Sequence, residues 1–391
     1  MVISQKNESF IKVLIATSST GNGHNVSAIA LKEWAEYFLG SKIEVKIEQL
    51  LENSNLFLSK CVDFYNFIQR KSPWFHHIYY NIIELQEMIN PGTVSLGSDY
   101  YIHLLREFQP HVLISVHDAL NKGYFELGKK IIGSNLHCVT YCLEFQGGYG
   151  FSRNWVNTYA DMFCCPTQET AQEAISRGMN PNKVFVSGIL LRRCFYESPM
   201  NYSEKTNFLV NDLGLRHHLF TLLLSTGGAG AENHISFLNN LLPMSNVLQV
   251  IALCGSNIST REKLTVWRHK NPNFNLCVLP FTQQIHKLLQ VSSAVVTRPG
   301  GITSYEALHL GCPIIFNGLG GIMPQELLTV SYFKCRNIAV TISRAEQLAP
   351  ILQKWLSQPE TYVQICQKLL SQRIQVHPEK VITQIISKNH H

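Results

Sequence analysis

SSAVVTRPGGITSYEALHLGCPIIFN, residues 292–317, reads as strand, turn, helix and second strand. SSAVVT is an apolar run with β-branched valines, and the Pro-Gly-Gly after it interrupts any regular element. ITSYEALHL is helix-like, and Gly311 and Pro313 close it before PIIFN begins. Two parallel strands need a crossover of this kind, so the stretch predicts one βαβ unit. Working outward, similar runs recur along the chain. KVLIATS, IEVKIEQL, HVLISVH, HCVTYCL, DMFCCPT and KVFVSGI lie in the first half. LFTLLLST, LQVIALCG, FNLCVLP, AVVTRP, PIIFN and IAVTI lie in the second. Short Val/Ile/Leu-rich runs separated by helix-like stretches suit strands buried on both faces of a parallel sheet. The fold class is therefore α/β, with two doubly wound parallel-sheet domains. CFYESPMNYSEKTNFLVND, residues 194–212, is polar and reads as the link between them.

Bulk properties agree. A chain of 391 residues is too long for one ordinary core. Hydrophobic residues make up 45% and charged residues 15%, a balance that excludes disorder. The formal net charge of +6 is mild and its lysines and arginines are scattered, so no nucleic-acid groove is expected. None of the 11 cysteines forms a CxxC pair. Cys138, Cys142, Cys164, Cys165, Cys254 and Cys277 sit inside apolar runs and read as buried free thiols in a reducing compartment, not as metal ligands. No signal peptide precedes IKVLIATSS, and no uncharged apolar run reaches about 18 residues, so no membrane span is expected.

In open α/β sheets, ligands sit at the carboxyl ends of strands. Three such ends carry glycine: TSSTGNGH at 17–24, with Gly21 and Gly23; STGGAG at 225–230; and RPGG at 298–301. Glycine lets backbone N–H groups approach a ligand, and a helix N-terminus favours negative charge. None of the three fits GxGxxG or GxxxxGK[ST], which removes the dinucleotide and P-loop readings. A phosphate docked on the helix opened by Gly300 and Gly301, with Arg298 beside it, leaves Glu306 able to reach outward on the same helix. A carboxylate accepts two hydrogen bonds, which suits a ribose diol. Phosphate plus ribose means a nucleotide. The plainer readings are a tight βα turn for each loop and a solvated helix glutamate for Glu306.

At these residues the sequence resembles a family, the GT-B glycosyltransferases typified by monogalactosyldiacylglycerol synthase and the processive diacylglycerol glucosyltransferases. The peptidoglycan N-acetylglucosaminyl transferase is a more distant relative. TSSTGNGHNVSAIAL, FIQRKSPWFHHIYY, PHVLISVHDALN and DMFCCPTQETAQEAISRGMNPNKVFVSGILLRRCF resemble first-domain motifs. TRPGGITSYEALHLGCPIIF with GIMPQE resembles the donor motif and is the most specific match.

The resemblance implies two Rossmann-like domains facing across a cleft. Residues 1–200 would face acceptor and membrane, 201–375 would bind nucleotide-sugar, and 376–391 would form a helix packing back on the first domain. The implied activity is transfer of a hexose from a UDP-sugar to a lipid hydroxyl with inversion, without cofactor or catalytic metal. The implied location is the cytoplasmic face of a membrane, held peripherally. Glu306 would bind the ribose. Gly300, Gly301 and Thr303, with Ser225, Gly227 and Gly228 on the facing loop, would hold the diphosphate. Gln325 and Glu326 would read sugar hydroxyls, and Phe281 and Ile285 would lie along the uracil. Gly21 and Gly23 would face the acceptor, and His24 would sit across the cleft.

The chemistry of such a transfer needs two things. The departing UDP gains negative charge, which backbone dipoles and Arg298 are expected to stabilise. The acceptor hydroxyl must lose a proton to a base on the first-domain side. There the sequence departs from the family, with Ser19 where the lipid galactosyltransferases have aspartate and Thr140-Tyr141 where they have Thr-Asp. His24 and Glu144 remain as candidate bases. A catalytically altered protein that binds nucleotide-sugar and acts through a partner is the alternative. Finally, residues 55–85 carry Phe57, Phe64, Tyr65, Phe67, Trp74, Phe75, Tyr79 and Tyr80 among Lys60, Arg70 and Lys71. Aromatic and basic side chains together suit a membrane interface, with Trp74 and Phe75 as contacts. Helices packed on the first domain are the plainer reading.

Overall fold

Each of the twelve apolar runs forms a strand in the computed structural model, which describes residues 10–89, 94, 96–225 and 233–386. The first sheet contains β1 (Ile11–Thr17), β2 (Ile43–Gln49), β3 (Val112–Ser115), β4 (His137–Tyr141), β5 (Met162–Cys165) and β6 (Val184–Val186). Their spatial order is β2-β1-β3-β4-β5-β6 and every pairing is parallel. The second contains β7 (Phe220–Ser225), β8 (Leu248–Leu253), β9 (Leu276–Leu279), β10 (Ala294–Thr297), β11 (Ile314–Asn317) and β12 (Ala339–Ile342). Its order is β12-β11-β10-β7-β8-β9, again all parallel. Central strands β3, β4 and β10 are buried throughout, whereas the edge strand β2 exposes Glu44, a charge that discourages pairing with another chain.

The two orders locate the functional crevices. In the first sheet the chain runs from β1 outward to β2, then returns to build β3 to β6 on the other side. The connections diverge between β1 and β3, which opens a crevice at their carboxyl ends. In the second sheet the same divergence falls between β7 and β10, where Ser225 pairs with Thr297.

Two helices tie the halves together. Gly23–Leu39 opens after the first glycine loop and buries Ala28, Leu31, Trp34 and Ala35. The Trp34 indole donates to the Leu191 carbonyl at 2.8 Å. Pro378–Ile386 crosses back and packs Val381, Ile382 and Ile385 into the same core. The stretch 194–212 is more structured than a polar link. Asn201 and Glu204 form a capping box for the Tyr202–Asn207 helix, and Phe208 and Leu209 are buried. The signal was too short to read as periodicity. The six cysteines named from the sequence are buried free thiols. Among the described residues, no helix is long and apolar enough to cross a membrane.

Candidate functional site

The two crevices face each other across a cleft of about 360 Å³, lined by both halves of the chain. The halves approach closely there. A side chain at Gly23 would meet Ile302 at 3.5 Å, and one at Gly301 would come within 3.0 Å of the Leu143 carbonyl. A side chain at 301 would therefore press on the neighbouring domain. Gly21, the other glycine expected here, also lines the cleft, with φ +74°.

The Gly301–Leu310 helix supplies the second-domain wall. Its N-cap, Gly300, is extended and offers no side-chain cap, so the first-turn N–H groups point toward the cleft uncapped by the helix's own side chains. Thr303 lines the cleft one turn from that mouth, and Ser225 faces it from the end of β7. Glu306 lies deeper, only 4% exposed. Burial pushes its carboxyl up to about 8, opposed by the nearby positive charge of Arg192. Phe281 and Ile285 line the outer part of the same wall. Phe281 is held by its own N–H to the Gly255 carbonyl at 2.9 Å, and Ile285 begins the Ile285–Val291 helix. Gly227 and Gly228 lie outside the described residues.

Arg298 differs from its expected part as a cation facing the diphosphate. Its guanidinium forms an ion pair with Glu326, with Nε at 3.2 Å from Oε1 and Nη2 on Oε2. Nη1 donates to the carbonyls of Asn317, Leu319 and Gly321 at 3.1, 3.3 and 2.8 Å. A guanidinium so engaged is a brace for the loop over residues 317–321. Glu326, expected to read sugar hydroxyls, lines the cleft but is already largely engaged. It is 4% exposed, and beyond Arg298 it accepts the Met323 N–H at 3.0 Å, closing the Pro324–Cys335 helix. Its neighbour Gln325 keeps capacity for a ligand and donates to the Tyr65 hydroxyl at 2.6 Å.

The first-domain wall carries the candidate bases. His24 lies beside Gly23, and its Nδ1–H donates to the Val116 carbonyl at 2.6 Å. A carbonyl cannot donate, so the neutral ring leaves Nε2 as an acceptor. Burial and the adjacent His117, 4.4 Å between ring centroids, lower the His24 pKa to about 3. Glu144 follows Leu143, whose carbonyl lies against the mouth of the Gly301–Leu310 helix. Burial and the charge of Asp118 raise its carboxyl to about 8, while a hydrogen bond from Trp155 opposes the shift. Thr20 Oγ1 and His117 Nε2, 2.5 Å apart, complete this side.

Trp74 and Phe75 do not line the cleft. They are 56% and 37% exposed, and the Trp74 backbone supports the loop at Gly321 from behind. Sequence reading missed Arg192, Tyr65 and Asp118 in their site roles. Arg192 lies in the motif ILLRRCF, and Glu33 holds it in the cleft with Nε at 2.9 Å from Oε1. Asp118 directly follows SVH at the end of β3.

A family model for monogalactosyldiacylglycerol (MGDG) synthase matches residues 24–191, and one for the glycosyltransferase family 28 C-terminal domain matches residues 222–317. The chain is 24% identical over 383 residues to the processive diacylglycerol beta-glucosyltransferase of Bacillus licheniformis, covering 96% of this chain and 95% of that one. It is 26% identical over 376 residues to the chloroplastic monogalactosyldiacylglycerol synthase of Spinacia oleracea, covering 92% and 68%. Acinetobacter baumannii MurG superposes with a TM-score of 0.59 at 12% identity, over 96% of this chain and 99% of that one. Anabaena HepE, solved with UDP-glucose, superposes with a TM-score of 0.53 at 13% identity, over 96% and 98%. The likeness read from the motifs runs through both halves of the chain.

Proposed function

We infer that this chain, GT-B in fold and resembling the diacylglycerol glucosyltransferases and monogalactosyldiacylglycerol synthase, moves a hexose from a UDP-sugar to a lipid hydroxyl with inversion. One observation carries the reading. The uncapped helix mouth at Gly300 and Gly301 abuts Glu144 through Leu143 and His24 through Gly23. A diphosphate leaving at that mouth would have a proton acceptor beside it. In this reading residues 201–375 hold the donor and residues 1–200 present the acceptor.

The diphosphate meets the helix mouth, where oriented N–H groups take up charge as the glycosidic bond breaks. The ribose reaches Glu306, and the sugar reaches Gln325. Glu144 accepts the acceptor's proton, because a carboxylate with a pKa near 8 is a far stronger base than an imidazole near 3. His24 offers Nε2 to the same hydroxyl and orients it. The lipid arrives over an apolar strip comprising Phe57, Phe64, Phe67, Trp74, Ile78 and Ile82, all exposed. A peripheral membrane contact through that strip fits a chain in which no described helix crosses a bilayer.

The test offers UDP-glucose, UDP-galactose and UDP-N-acetylglucosamine to the chain with and without diacylglycerol vesicles. UDP release that depends on both one sugar and the lipid, with a β-linked product, is expected. Release indifferent to lipid, or absent with all three, defeats the reading. Glu144→Gln is expected to lower turnover by roughly 10²-fold or more. The parent rate should climb with pH and level off above about 8, because the base works deprotonated. If His24→Ala alone abolishes turnover and Glu144→Gln does not, the base is His24.

A further inference from the structure

We propose that Tyr65 is a positioning residue for the donor sugar: from the first domain it fixes the side-chain amide of Gln325 in the second, so that Gln325 offers its carbonyl oxygen to a sugar hydroxyl. The inference rests on the donor reading above. Gln325 Nε2 lies between two acceptors, the Tyr65 hydroxyl at 2.6 Å and the Met323 sulfur at 3.9 Å. The reversed amide could still accept from the Tyr65 O–H but would set its carbonyl against the Met323 thioether, which has no proton to give, so the nitrogen is the end that suits both neighbours. The observed orientation leaves Oε1 as the end not engaged with either acceptor. A hydroxyl reading that oxygen must donate to it. Glu326, next in the chain, already accepts from Arg298 and the Met323 N–H, so Gln325 is the less engaged member of the pair.

Tyr65 is itself fixed. His76 packs on its ring at 4.4 Å between centroids and Tyr79 at 6.2 Å. Burial and the charge of Glu326 hold its phenol well above the ordinary range, so it keeps its proton. The surrounding contacts extend the same link between domains. His77 Nε2 donates to the Ile322 carbonyl at 2.9 Å. Gly320 and Gly321, at φ +77° and +99°, settle on Pro73 and Trp74. Gly150 lies so close under Pro324 that a Cβ would be 2.0 Å from its carbonyl oxygen. The sugar-reading loop is thus seated in a notch of the first domain, and sugar recognition is a joint property of both halves.

Tyr65→Phe removes the hydroxyl and keeps the ring. Calorimetry on the full chain would compare UDP, UDP-glucose and UDP-galactose, alongside transfer kinetics with diacylglycerol vesicles. UDP affinity is expected to stay within about twofold, while the preferred UDP-sugar loses about tenfold in both its affinity advantage over UDP and kcat/KM. The glucose-to-galactose discrimination should narrow. In a Gln325→Ala background the Tyr65→Phe change should add nothing, because the two act through one bond. UDP affinity falling in step with UDP-sugar affinity would mean a structural role and overturn the proposal. So would an equal, additive loss in the Gln325→Ala background. A parent that binds none of the three nucleotides overturns the donor reading and this inference with it. A Tyr65→Phe chain that keeps the parent's sugar preference overturns the inference alone.

Discussion

At neutral pH Glu306 is mostly protonated, because burial in the cleft moves its carboxyl to about 8. In the ribose-binding part proposed for it, the ionised form is the better acceptor of two hydroxyl donors. Donor binding then pulls the pKa down and releases a proton. UDP-glucose affinity is expected to rise between pH 6.5 and 8.5 and to flatten above, since the bound state favours the form present at high pH. Calorimetry at pH 7 in two buffers of different ionisation enthalpy reads the proton release directly. Glu306→Ala should weaken binding by about 1–3 kcal/mol and abolish the pH dependence. A pH-independent affinity in the parent would place the ribose elsewhere. Arg298 teaches the converse at the same scale. From the sequence it looks like a free cation beside a phosphate loop, but its partner Glu326 lies 28 positions away. Side-chain commitments of that range are invisible to local pattern, whereas Glu306 was legible because its distance from Gly300 along one helix fixes where it sits.

Elements were easier to read than side chains. Strands buried on both faces are apolar at most positions, so KVLIATS or PIIFN announces itself without alternation. The Tyr202–Asn207 helix was missed because six residues hold less than two turns, too few for a period. Tyr65 and Arg192 were missed for a different reason. Each matters only because two elements distant in sequence meet across the cleft, and nothing in SKCVDFYNF or ILLRRCF records the other side. Loop contacts of this kind have their own test. Gly150 has φ +103° and no room for a Cβ beneath Pro324. Gly150→Ala is expected to cost about 2–4 kcal/mol, through backbone strain and the clash with Pro324. The denaturation midpoint measures it, and UDP-sugar preference should fall with it because Gln325 follows Pro324. A variant as stable as the parent would mean that the loop and the first domain part in solution.

For the molecule as a whole, the exposed aromatics and the site share one segment. Trp74 projects outward while its backbone supports Gly321. Replacing Trp74 and Phe75 together by serine keeps the Cβ that packs on the loop and removes the apolar rings. Sedimentation with anionic vesicles is expected to drop several-fold, with UDP binding intact. Undiminished sedimentation would move the lipid contact to another face. The helix Pro378–Ile386 has a consequence of another kind, in the timing of synthesis. Its Val381, Ile382 and Ile385 cover a core whose earlier members, Leu31, Trp34 and Ala35, lie in the Gly23–Leu39 helix and are made well before it. At about 5–20 residues per second, tens of seconds separate the two. Until that helix is made, the face its Val381, Ile382 and Ile385 cover stays open to water.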